Sequence, residues 1–278
     1  MSDAAGDEAI LFEVRDGLAH ITLNRPSRLN AVDPEAIHRW RDIAVEVAER
    51  DDVGAVLFDA VGRAFCAGGD VRAMSELAGT TDAPGQTITA LADVIHAGHR
   101  ALRESAKPIV AAVQGPVAGG GLGFMLVADL IVASDRATFA SRYSDVGLTP
   151  DCGVSTLLPE AIGTRRALEL TLTPRSLTAA EALGWGLVTE VVAPEALDDR
   201  AREIADSWLR GATGAFGQAK RLVRSGSSRS FQEALDDEAR TIGGAFVTPA
   251  AQAGVAAFAA AAAASAANRA QAARQQEE

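Results

Sequence analysis

Two short stretches of small residues carry the chemistry this sequence offers. The first is Phe65-Cys66-Ala67-Gly68-Gly69-Asp70, and the second is Gly115-Pro116-Val117-Ala118-Gly119-Gly120-Gly121. Each follows an apolar run that reads as a strand, ending at Phe58 and at Val113, and each leads toward a helix. Glycine lets a backbone approach a ligand with no Cβ in the way. A helix N-terminus adds unpaired N–H groups and the positive end of its dipole. Two such loops brought together form an oxyanion hole, a pair of donors aimed at a developing negative oxygen. Alone, a Gly-Gly-Gly run is more often a structural turn than a catalytic device, so the pairing of loops carries the reading. Asp151, in Thr149-Pro150-Asp151-Cys152-Gly153, is placed to cap a helix over Val154 to Ile162.

Other reactive side chains have plainer readings. His96 and His99 share a helical face, but no third ligand accompanies them, so no metal site is expected. Cys66 and Cys152 read as small packing residues beside the glycine loops, with a nucleophilic role as the alternative. Asp70 follows Gly69 and is suited to hold its loop by accepting backbone hydrogen bonds.

The elements that must position these residues can be read in order. Leu11 to Val14 and Ala19 to Leu23 form a hairpin across Asp16-Gly17. Asp33-Pro34 is an N-cap followed by proline, and Ile37, Trp40, Ala44, Val47 and Ala48 continue a helical stripe. Val53 to Phe58 is a buried strand, Thr80 to Gly85 a polar connector, Ile88 to Arg103 a helix and Ile109 to Val113 a strand. A helix over Leu122 to Ala128 and a strand over Leu130 to Ala133 come next. Thr178 and Glu181 have capping-box spacing, Leu187 to Val192 is a strand, and helix follows from Pro194. Ala256 to Ala267 is almost all alanine, a strong helix former, fraying into a polar tail from Gln271.

Composition narrows the function. The chain has 278 residues, is 48% hydrophobic and carries a net charge of -11. That suffices for a large core, and it argues against a nucleic-acid partner, which calls for a basic face. Met1 to Ala9 lacks the basic and apolar regions of a signal peptide, and no run of about 18 apolar residues predicts a membrane span. Two cysteines do not make a disulfide scaffold, so a cytoplasmic protein is expected.

Taken together the motifs resemble the crotonase (enoyl-CoA hydratase/isomerase) superfamily. The resemblance lies in Leu23-Asn24-Arg25-Pro26, Leu29-Asn30-Ala31, the two glycine loops, Lys107 to Gly115, Ala128-Asp129-Leu130, Val146 to Pro150 and Glu181 to Val188. It extends from about Leu11 to Phe258. It implies an α/β fold, a crotonase-like spiral of ββα units with a C-terminal helical trimerisation region. Residues 1–193 would form the acyl-CoA-binding core and residues 194–278 the oligomerisation region. It also implies an acyl-CoA substrate, no cofactor beyond the coenzyme A of that substrate, and a homotrimer or hexamer, for which Trp208, Leu222 and Phe246 are candidate anchors.

Site residues follow from the same resemblance. Gly69 and Gly120 would be the oxyanion donors. Ala31, Ala67, Gly68, Asp70, Gly119 and Tyr143 would line the substrate. The two glutamates of the hydratases fall on Gly123 and Tyr143, so both are missing. Some isomerases of the superfamily carry one carboxylate after the Gly147-to-Pro150 element, where this chain has Asp151. Asp145 is the alternative if that loop is shifted. Arg28 and Arg72 would face coenzyme A phosphates or solvent. Ala259 to Ala264 stands where many members carry basic residues, leaving Arg269 nearby. The expected reaction is a β,γ to α,β double-bond shift in an enoyl-CoA. Hydration, thioester hydrolysis and a non-catalytic acyl-CoA-binding protein are the alternatives.

Overall fold

The hairpin forms where Asp16 and Gly17 both take positive φ, 52° and 83°. This is the turn geometry that matches strand twist. Its strands are β1 (Ile10–Arg15) and β2 (Leu18–Leu23), with Ile10 opposite Leu23. The computed structural model describes residues 8–80, 82–226 and 228–276. The remaining strands are β3 (Ala55–Ala60), β4 (Ile109–Val113), β5 (Val117–Ala118), β6 (Leu130–Ser134), β7 (Thr138–Ala140), β8 (Ser176–Thr178) and β9 (Glu190–Val192). The helices are α1 (Pro34–Glu49), α2 (Val71–Thr80), α3 (Pro84–Glu104), α4 (Gly121–Leu126), α5 (Val154–Ile162), α6 (Thr164–Leu172), α7 (Ala179–Trp185), α8 (Leu197–Arg210), α9 (Thr213–Gly226), α10 (Phe231–Phe246) and α11 (Pro249–Gln276).

Six strands form one sheet in the order β1-β2-β3-β4-β6-β9. All neighbours are parallel except β1 and β2. A smaller sheet has the order β5-β7-β8. Parallel strands covered on both faces read as unbroken apolar runs, and β4 is buried at every position. Its alternate residues serve two layers. Ile109, Ala111 and Val113 face the core that holds Trp40, Phe58, Phe65 and Phe124. Val110 and Ala112 face α8.

Most expected elements are present within a residue or two. The capping box joins Thr178 and Glu181, and the Asp33 side chain accepts from the Ala36 N–H at 2.9 Å. Differences occur where tertiary contacts decide. The connector expected over Thr80 to Gly85 is shorter, because α2 runs through Thr80 and Pro84 already opens α3. Thr81 lies outside the described residues, as do residues 1–7 of the acidic N-terminus. The polar tail stays helical through Gln276.

The chain forms two compact units, one ending at Lys220 and one beginning at Arg221. In the first, α8 lies on the sheet. Trp208 is therefore a core residue, 9% exposed among Leu18, Leu57 and Val132, and not a free anchor for another copy. In the second unit, Ser230 and Glu233 form a capping box, and Arg221 pairs with Asp237 at 2.6 Å. Its large apolar side chains Phe231, Ile242, Phe246 and Phe258 are exposed. Among the described residues no single helix is long and apolar enough to cross a membrane.

A buried ion pair closes the first unit. Lys220 Nζ lies 3.2 Å from Asp129 and donates to the carbonyls of Leu102 and Lys107 at 2.9 and 2.7 Å. Asp129 in turn accepts from the Ile109 N–H that begins β4, at 2.9 Å. Removing one partner strands the other charge, at a cost of about 3–5 kcal/mol. Lys220→Ala is therefore expected to lower the urea midpoint by a corresponding amount. A variant within about 1 kcal/mol of wild type would show that the pair is solvated.

Candidate active site

The first glycine loop is held by backbone pairing with the turn before α1. The Val32 N–H donates to the Gly68 carbonyl at 2.8 Å, and the Asp70 N–H donates to the Val32 carbonyl at 2.9 Å. Gly69 lies between these two bonds, so its own N–H faces the other way. The second loop pairs with the first, as the Ala118 N–H donates to the Cys66 carbonyl at 2.9 Å. Among the described residues, the N–H groups of Gly69 and Gly120 have no acceptor in the protein. The loops touch because Gly68 has φ of +90° and no side chain. A Cβ there would lie 2.9 Å from the Ala118 oxygen and 3.0 Å from the Gly120 nitrogen.

Asp70 does what its position suggests. Its carboxylate accepts from the N–H groups of Arg72 and Ala73 at 3.1 and 3.4 Å, opening α2. Arg25 adds a clamp that the sequence did not reveal, reaching Asp33 at 2.7 Å and Asp70 at 3.3 Å. Burial works against the charged Asp70 carboxyl. The Ala73 and Arg72 N–H groups and the Arg25 guanidinium outweigh it and hold the pKa below the usual range. The cation thus ties the cap of α1 to the first turn of α2, on either side of Gly69.

Around Gly120 three side chains converge. The site of a Cβ on Gly120 lies 2.9 Å from Cys152 Sγ, 3.5 Å from Asp151 Oδ1 and 3.6 Å from Tyr143 Oη. Asp151 is therefore beside the second donor. Its side chain does not cap α5: the N-cap is Gly153, with no side-chain cap bond. Asp145 is elsewhere, exposed and paired with Arg142 at 3.2 Å. Cys66 and Cys152 are both free and buried. Burial pushes the Cys66 thiol up to about 12. Burial and then the Asp151 carboxylate push Cys152 well above its usual range. Both stay protonated near neutral pH, which disfavours a thiolate nucleophile.

An apolar cavity extends from this point. Gly69, Asp70, Asp151 and Cys152 form one end, and Val32, Ile37, Met74, Leu77, Ile88, Leu91 and Ile95 line the walls. Apart from Val32, in the turn before α1, the wall residues come from α1, α2 and α3, and none was recognised from sequence as lining a cavity. Spacing could have marked two of the sets: Met74 and Leu77 are i,i+3, and Ile88, Leu91 and Ile95 are i,i+3,i+7. Ala31, Ala67, Gly68, Gly119 and Gly120 lie in the paired loops but not on the cavity wall, Tyr143 is not on it either, and Ala31 and Gly68 are buried. Arg28 and Arg72 are exposed. His96 is exposed, whereas His99 is buried and accepts from Trp40 Nε1 at 3.0 Å, so the two do not converge. Burial lowers the His99 pKa to about 3.

The sequence profile of the enoyl-CoA hydratase/isomerase family matches residues 13–264, and the chain belongs to that family. It is 33% identical over 236 residues to the 4-chlorobenzoyl coenzyme A dehalogenase-2 of Arthrobacter sp, covering 85% of each chain. It is 32% identical over 232 residues to the 1,2-epoxyphenylacetyl-CoA isomerase of Escherichia coli, covering 83% of this chain and 87% of the relative. The solved enoyl-CoA hydratase of Mycobacterium smegmatis superposes with a TM-score of 0.83 at 28% identity, covering 91% of this chain and 96% of the other. The fold is thus the crotonase spiral, with helices at its C-terminal end.

Gly123, where hydratases carry a glutamate, has a steric reason to be glycine here. A Cβ would lie 2.0 Å from the Cys152 carbonyl oxygen and 2.7 Å from the Cys152 Cβ. The loop bearing Asp151 occupies that space. Gly123→Glu is expected to lower stability by at least the 1–3 kcal/mol typical of overpacking, about 2 kcal/mol or more. It should confer no hydration of an α,β-enoyl-CoA. A well-folded variant with an unchanged thermal midpoint would contradict this packing.

Proposed function

We propose that the protein is an enoyl-CoA isomerase that moves a β,γ double bond into conjugation with the thioester. The observation that carries this reading is the Asp151 carboxylate beside Gly120, with the Gly123 position closed by backbone. The thioester oxygen binds between the N–H groups of Gly69 and Gly120. Asp151 removes a proton from the carbon next to the carbonyl. The electrons pass onto the oxygen, giving a dienolate that the two donors stabilise. Loss of one such donor typically costs about 10²–10³ in rate. The protonated Asp151 then returns the proton to the γ carbon, and the carboxylate is regenerated. One base suffices, and no water enters the chemistry.

The aliphatic cavity supports a flexible acyl chain as the group that lies against α2 and α3. Two relatives with isomerase names, for 1,2-epoxyphenylacetyl-CoA and trans-2-decenoyl-[acyl-carrier-protein], also favour this chemistry. Two unpaired buried thiols suit a reducing cytoplasm. The exposed Phe231, Ile242, Phe246 and Phe258 support assembly through the C-terminal helices into a trimer or hexamer. Sedimentation at micromolar concentration should show three or six copies, and a monomer across that range would refute the assembly.

Asp151→Asn tests the base. The double-bond shift should slow by roughly 10²–10⁴, with binding of a saturated acyl-CoA retained. The thermal midpoint should hold, because the Asp151 side chain caps no helix. Asp145→Asn should be silent. Incubation with α,β- and β,γ-enoyl-CoA, an aryl-CoA halide and a saturated acyl-CoA separates the alternatives. Hydration, dehalogenation or thioester hydrolysis as the main reaction would overturn the isomerase reading. Binding with no turnover of any of them would mark a non-catalytic acyl-CoA-binding protein.

A further inference from the structure

Tyr143 stands at a position where hydratases carry a carboxylate, yet its hydroxyl does not point at open space. Its Oη donates to Asp151 Oδ1 at 2.5 Å and lies 3.4 Å from the Asp151 carbonyl oxygen. The ring is 8% exposed and packed into the main core. A single 3-10 turn over Ser144–Val146 leads away from it. There the N–H groups of Val146 and Leu148 donate to the Tyr143 carbonyl at 3.2 and 3.0 Å. Both the ring and its backbone are therefore fixed before the hydroxyl meets the carboxylate. Oδ1 is the oxygen that this bond holds, and the Cys152 thiol is the other side chain that meets the carboxylate.

We propose that Tyr143 is a positioning residue that holds Asp151 Oδ1 so that Oδ2 faces the substrate carbon. This rests on the isomerase reading, in which Asp151 is the base. An aspartate on a loop can rotate about its Cα–Cβ bond into several staggered positions. A short hydrogen bond to a charged acceptor is among the stronger neutral-donor bonds and selects one of them. Burial keeps the phenol protonated by pushing its pKa far above the usual range, so it acts as a donor and does not compete for the substrate proton. The same carboxylate must reach two carbons in one turnover. Pinning one oxygen while leaving the other free satisfies both requirements.

The test is a double-mutant cycle on the β,γ-enoyl-CoA isomerase reaction, using Tyr143→Phe, Asp151→Asn and the double variant. Tyr143→Phe keeps the ring, and its thermal midpoint serves as the folding control. It should lower kcat by about 10–100-fold with KM unchanged, the range expected for a bond to a charged group. In the Asp151→Asn background the same substitution should cost nothing further. A Tyr143→Phe protein with wild-type kcat, while Asp151→Asn is slow, would overturn the positioning role and leave the base in place. An equal loss in both backgrounds would also overturn it, because the tyrosine would then act independently of the carboxylate. Full activity in Asp151→Asn would remove the base reading and the positioning role together.

Discussion

A Cβ on Gly123 would come within 2.0 Å of the Cys152 carbonyl, and one on Gly68 within 3.0 Å of the Gly120 nitrogen. At these two contacts three loops close on one another with backbone against backbone. The spacing is what allows the Gly69 and Gly120 donors to occupy one site, and it also carries Asp151 into that site. A protein interior cannot absorb an added methyl at such distances without moving a loop. The glycines thus fix the layout of the site. The Cys152 backbone fills the volume that a glutamate at Gly123 would need.

Much of the frame was legible because its causes are local. The Asp16-Gly17 turn, the Asp33 cap, the Thr178–Glu181 box and the unbroken apolar run of β4 each declare themselves within a few residues. The limits of α5 agree with the expectation as well. The small sheet was not legible. Its strands are two or three residues long, too short for a period to be counted, and they exist because distant segments meet. Helix α2 was expected only as a helical segment without limits, for a related reason. Its start is set by Asp70 accepting from Arg72 and Ala73, within a stretch whose glycines read as loop.

The site itself was partly legible. The glycine pair and Asp151 could be picked out as types at positions. The meeting of Tyr143 with Asp151 could not, because seven residues intervene and a left-handed residue flanks the segment on each side. Cys152 has φ of 50° and Arg142 has φ of 58°. Non-glycine residues adopt such angles at a cost, so the surrounding packing imposes them. Any sequence-based view that assumes ordinary backbone there places Asp151 wrongly. The position that the resemblance gives Tyr143 does not by itself disclose the bond to Asp151.

The charges around the cavity explain why backbone donors are needed at all. Asp33, Asp70 and Asp151 all lie on its wall. Arg25 answers the first two, and the N–H groups of α2 support Asp70 further. Asp151 keeps a hydroxyl donor and no cation. When a carboxylate takes a proton from the substrate, its charge vanishes as an equal charge appears on the thioester oxygen. In the proposed reaction the total stays constant and only its position shifts, from Asp151 to the point between Gly69 and Gly120. Moving a charge a short way between two prepared sites avoids creating a new one in an apolar pocket, where an unpaired ion is costly. A lysine or arginine beside Asp151 would oppose this step by holding the negative charge on the base. In the proposed reaction neutral donors, the phenol at one end and two amides at the other, leave it free to move.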